Sequence, residues 1–150
     1  MATSARKRPD LLVDTSVAVA LTVADHEHHD ATFAALQGRR LGLAGHAAFE
    51  TFSVLTRLPA PARRTPATVA RLLAASFPHS RFLGADSSRS LLGRLATIGI
   101  AGGSVYDALV GAAAAEHGLK LATRDRIADR ARRSAGDSRF GNGDRRRSRP

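Results

Sequence analysis

Apolar and polar positions along the chain alternate between short apolar runs and longer stretches of helical spacing. LLVD (11–14) opens the pattern: three apolar residues, enough for a short buried strand, run straight into an aspartate. SVAVALTVA follows, crowded with Ala, Val and Leu as a helix packed on a sheet would be. HEHHDATFAALQGRR (26–40) carries Phe33 and Leu36 at helical spacing, and Gly38 predicts its stop. LGLA (41–44) predicts a second strand, and AAFETFSVLTRL a helix with Ala48, Phe52 and Leu55 on one face. The prolines of PAPARR mark a linker. Thr65 and Pro66 then suit the N-cap and first position of a helix that runs to Pro78.

RFLGA (81–85) predicts a weak third strand, and SSRSLLGRLATIG a helix ending at Gly99. Ala101-Gly102-Gly103 leads into SVYDALVGAAAAEHG, with Ser104 as the expected N-cap and Gly118 as the stop. LKLAT (119–123) is the last strand, closed by Arg124 and Asp125. Helices alternating with short apolar strands argue for an α/β fold, a parallel sheet covered on both faces.

That topology gives four acids a common place. Asp14 follows the first strand, Asp125 follows the last, Glu50 lies in the helix after LGLA, and Asp107 lies one turn into the helix opened by Ser104. Strand C-terminal ends and crossover-helix N-termini share one edge of a parallel sheet, where open α/β sheets place their ligands. Each acid alone has a plain explanation. Asp14 could cap its helix, Asp107 could pair with Ser104 in a capping box, Glu50 could face solvent, and Asp125 could be a turn residue. Two carboxylates ~4 Å apart repel by ~4 kcal/mol at an effective dielectric of 20, so a converged set takes up protons or a cation. Oxygen donors without cysteine suit a hard divalent ion, Mg²⁺ or Mn²⁺. Such an ion lowers the pKa of bound water and directs it at a phosphodiester.

The 150 residues fit one domain with a real core, and 43% apolar residues argue against global disorder. There is no cysteine, which fits an intracellular, cytoplasmic setting, and no apolar run approaches the ~20 residues of a membrane span. ARKRP before the first apolar run imitates a secretory signal, but Asp14, Thr15 and Ser16 interrupt its centre. The net charge is +10, and residues 126–150 hold nine Arg against three Asp. That excess favours a polyanionic partner, with Arg124, Arg126 and the tail arginines as candidates for holding a phosphate backbone. The chain therefore divides into a basic extension at 1–9, a domain at 10–131 and an Arg-rich tail at 132–150 expected to be disordered. HEHHD (26–30) begins like a zinc motif but has Asp30 where the second histidine is needed, so a solvated helix face is expected.

The ordered set VDTS, FET, GGSVYDALVGAAA and LATRD resembles the PIN-domain ribonucleases, and in particular the VapC toxins of bacterial VapBC toxin–antitoxin pairs. The likeness covers about residues 10–130. It implies a three-layer α/β/α PIN-like domain around a mostly parallel sheet, and Mg²⁺-dependent endonucleolytic cleavage of RNA. It also implies that Asp14 and Asp107 hold the metal, that Glu50 and Asp125 complete the cluster, and that Ser16 and Thr123 support it by hydrogen bonds. The implied partners are a small VapB-like antitoxin and a second copy of the chain in a homodimer. One departure stands out: the family's final apolar strand has no counterpart in 126–150. That departure and the basic tail motivate an alternative, a catalytically impaired RNA- or protein-binding module of the same fold. A metal-dependent DNA nuclease is a third reading.

Overall fold

The computed structural model describes residues 9–140, with side chains through 133. The elements run β1 (Leu11–Val13), α1 (Thr15–Thr22), α2 (His29–Leu36), β2 (Leu41–Leu43), α3 (Ala47–Thr56), α4 (Pro66–Ser76), α5 (Ala85–Arg94), α6 (Ser104–Glu116), β3 (Lys120–Ala122) and α7 (Arg124–Phe140). The three strands form a parallel sheet in the order β2-β1-β3, with Leu12 opposite Gly42 on one side and Leu121 on the other. The central strand is buried on both faces, as its unbroken apolar run requires.

Side chains alternate across a strand, so β1 feeds two cores. Leu11 and Val13 join Val17, Ala18, Leu36, Leu43 and Phe77 on one face. Leu12 joins Ala44, Ala47, Val110 and Ala114 on the other. Each fully buried Leu or Val contributes roughly 1.5–3 kcal/mol of transfer free energy. Helices on both faces make the three-layer α/β/α arrangement.

Gly42 is required by proximity. A Cβ there would lie 2.2 Å from the His79 carbonyl oxygen, where the 78–79 segment crosses β2. The expected caps at Thr65 and Gly118 form: Thr65 accepts the Thr68 N–H, and Gly118 turns the chain at φ +59.

Four expectations are corrected. RFLGA does not form a strand; only Arg81 bridges, in parallel with Ala44. The Gly84 N–H donates to the Glu116 carboxylate at 2.8 Å, which draws the backbone toward α6 and starts α5 at Ala85. α5 stops at Arg94, and turns fill the stretch to Gly99. Ser104 is the first helical residue rather than the cap. Gly102, at φ +58, turns the chain so that the carbonyls of Gly102 and Gly103 accept the N–H groups of Val105 and Tyr106. No side chain caps α6, so the Ser104–Asp107 capping box is not made. Finally, α7 continues to Phe140, so the segment expected to be disordered from 132 begins as helix; residues 1–8 and 141–150 lie outside the described residues. No strand follows β3 among the described residues.

Candidate active site

The site is built where the three parallel strands end. The Asp14 N–H donates to the Ala122 carbonyl at 3.2 Å and the Ala44 N–H to the Val13 carbonyl at 3.1 Å, which ties the three strand exits together. α6 leads into β3 and so runs antiparallel to the sheet, bringing its N-terminus and Asp107 to the same edge.

Asp14 is half-buried at the N-cap of α1. Its Oδ1 accepts the Val17 N–H at 2.9 Å and the Ser16 hydroxyl at 2.7 Å. Burial raises its pKa, and repulsion from Asp107 adds to the rise; the Val17 and Ser16 hydrogen bonds and the Arg124 charge oppose it without cancelling it. Asp14 is therefore both a cap and a strained carboxylate. The two readings of that residue coexist because each uses different features: Oδ1 serves the helix, and the charge answers to Asp107.

Glu50 is held from both sides. Oε2 accepts the Thr15 hydroxyl at 2.7 Å, and His46 Nε2 lies 3.5 Å from Oε1. The His46 ring stacks on Tyr106 at 4.7 Å and 12°, so Glu50 is linked through it to the residue preceding Asp107. Asp107 acts electrostatically on Asp14, and Glu50 is linked to each only through a neighbour, Thr15 on one side and His46 with Tyr106 on the other. Asp125 stands exposed in the first turn of α7, on the same edge, with no hydrogen bond or ion pair tying it to the other three among the described residues.

Thr123 Oγ1 accepts the Arg126 N–H at 3.4 Å, which serves α7 rather than a carboxylate. Arg124 places its charge near both Asp14 and His26, whereas Arg126 turns back toward the Leu121 carbonyl at 3.5 Å. His26 does not sit on a solvated helix face: α2 starts only at His29, and the half-buried His26 ring accepts the His28 N–H at 3.1 Å. Its pKa is lowered by burial first and by Arg124 next.

Among the described residues no three His, Asp or Glu side chains lie close enough to form a metal-binding group. The donors that could hold a cation are the Asp14 and Asp107 carboxylates, all-oxygen ligands of the kind Mg²⁺ takes from proteins, one or two carboxylates with water completing the shell. Thr15, His46 and Tyr106 were not singled out as site residues from the sequence. Thr15 and Tyr106 adjoin Asp14 and Asp107, and His46 precedes Glu50 by one helical turn, the available signal in each case.

An acid-lined edge on a sheet of this topology defines a class that sequence comparison also finds: the PIN domain family model matches residues 11–134, and the chain belongs to that family. Its similarity extends to the VapC branch. It is 49% identical over 118 residues to Ribonuclease VapC27 of Mycobacterium tuberculosis, covering 79% of this chain and 86% of that one. Ribonuclease VapC40 of the same species is 48% identical over 114 residues, covering 75% and 84%.

Proposed function

We propose that the chain is a metal-dependent endoribonuclease that acts as the toxin of a toxin–antitoxin pair. The observation that carries the reading is Asp14, kept half-buried with a raised pKa beside Asp107 where a strand exits the sheet. Charge repulsion of this kind is relieved by a cation. Mg²⁺, or Mn²⁺ in its place, supplies an activated water and neutralises charge at a phosphodiester when bound.

The residues divide the remaining work. Asp14 and Asp107 hold the cation, with Ser16 fixing the Asp14 rotamer through its 2.7 Å bond. Glu50, anchored by Thr15 and His46, orients the attacking water, and Asp125 adds negative charge at the rim. Arg124 and Arg126 attract the RNA backbone. In-line attack of that water on the phosphorus breaks the P–O3′ bond, leaving a 5′-phosphate and a 3′ oxygen that takes up a proton to become a hydroxyl. The relatives' printed name, ribonuclease, supports RNA as the substrate. The same reading includes a cytoplasmic location, a small VapB-like antitoxin over the acid edge and a homodimer of the toxin. No described helix is long and apolar enough to cross a membrane.

Purified protein is incubated with single-stranded RNA and, separately, single-stranded DNA, with Mg²⁺ or with EDTA. Cleavage of RNA alone, lost in EDTA and reduced about 100-fold (~2.7 kcal/mol of barrier) by Asp107→Asn, is expected. RNA binding without cleavage in any metal would favour the catalytically impaired binding module, the reading motivated by the basic tail and by the lack of a strand after β3 among the described residues.

A further inference from the structure

The chain is poor in aromatic residues, with six Phe, one Tyr and no Trp, yet three of these seven lie exposed together beside the acids. Phe49, Phe82 and Tyr106 are 65%, 52% and 49% exposed. With His46 they form a continuous line of rings. Tyr106 stacks on His46 at 4.7 Å, His46 lies 6.4 Å from Phe49, and Phe49 meets Phe82 edge to face at 6.0 Å. They come from α3, α6 and the segment before α5, so tertiary folding assembles the line. Large aromatic groups bury ~150–250 Å² when they can, and a contiguous exposed set marks a binding surface.

Two observations point to the occupant. The line begins within the site: His46 is 3.5 Å from Glu50, and Tyr106 directly precedes Asp107. The chain carries +10, and Arg124 places its charge beside Asp14 at this edge, so a polyanion is the ligand it suits. A polyanion with flat apolar faces is a single-stranded nucleic acid, whose unpaired bases stack on aromatic side chains without regard to sequence. Phe49 and Phe82 are each more than half exposed, so ring surface beyond their edge-to-face contact remains for a base.

The geometry points to Phe49, Phe82 and Tyr106 as a stacking platform that seats unpaired bases of the RNA beside the acids. This deepens the ribonuclease reading and rests on it.

The test uses the full chain and single-stranded oligoribonucleotides carrying 2-aminopurine at each position in turn, first in EDTA for binding and then in Mg²⁺ for cleavage. Stacking quenches 2-aminopurine at one or two positions in the wild type. Phe82→Leu and Phe49→Leu, which keep an apolar side chain and are checked for folding by circular dichroism, should lose that quenching and weaken binding about tenfold. Phe82→Trp should retain both. Replacing the quenched base by an abasic sugar should cost the wild type the same factor and cost the Leu variants nothing more. Quenching and affinity unchanged in both Leu variants would overturn the platform. So would a wild-type dimer that becomes monomeric in the Leu variants, since the rings would then cover a second copy. Cleavage in Mg²⁺ with no dependence on the rings refutes the platform and spares the ribonuclease reading; quenching without cleavage does the reverse.

Discussion

Asp14 carries two roles whose energetics oppose each other. Its Oδ1 stabilises α1 as an N-cap, a contribution of about 1 kcal/mol. Its ionisation is disfavoured by burial and by Asp107. A carboxyl whose folded pKa is raised binds protons more readily folded than unfolded, so stability declines as pH rises from the unfolded value through the folded one. Asp14→Asn keeps an oxygen to accept the Val17 N–H and removes the charge. It should melt higher than the wild type at neutral pH, with the gap closing as the pH falls below the ordinary carboxylate range. Added Mg²⁺ should raise the melting temperature of the wild type more than that of the variant. A variant that melts lower at neutral pH would show that Asp14 is a cap alone. The candidate acids could be named because Asp14 directly follows a strand and the other three fall in the first turn of a helix. The Thr15–Glu50 bond was not, because it joins residues 35 positions apart that only sheet pairing brings together.

At the scale of elements, local signals succeeded where a helix end depends on its own few residues, as at Thr65–Pro66 and Gly118. They failed where a distant element competes. RFLGA has the composition of a strand, but one bridge to Ala44 and the pull of Glu116 on Gly84 leave it no ladder. At α6 the glycines of the preceding turn satisfied the first N–H groups and left Asp107 out of a cap. Gly42 and Gly93 give a paired test of tertiary against local control. Gly42→Ala drives a Cβ into backbone and should destabilise by at least about 1–3 kcal/mol in urea unfolding. Gly93→Ala meets nothing within 4 Å in an exposed helix and should stabilise by about 0.5–1 kcal/mol. Equal effects at the two positions would count against the crossing at His79.

For the whole molecule, charge is the property that reaches beyond the site. Residues 141–150 contain four Arg and one Asp. If these arginines contact RNA, the logarithm of affinity falls with the logarithm of salt by about 0.7 per phosphate neutralised on a single strand. Truncation after Phe140 should then flatten that slope by up to about 3, measured by fluorescence anisotropy between low and moderate salt. An unchanged slope would assign the attraction to the folded domain, where Arg124 stands beside Asp14. The sequence by itself determined the fold class, the three strands that form and where along the chain the candidate acids fall. Apolar runs, caps and residues next to strand ends are local properties that survive any arrangement of the rest. Only the tertiary structure decided the strand order β2-β1-β3, that Asp107 acts on Asp14, that Thr15 and His46 hold Glu50, and that four rings from three segments line one rim. Those outcomes depend on distances between residues far apart in the chain, set by burial on two faces of one three-stranded sheet.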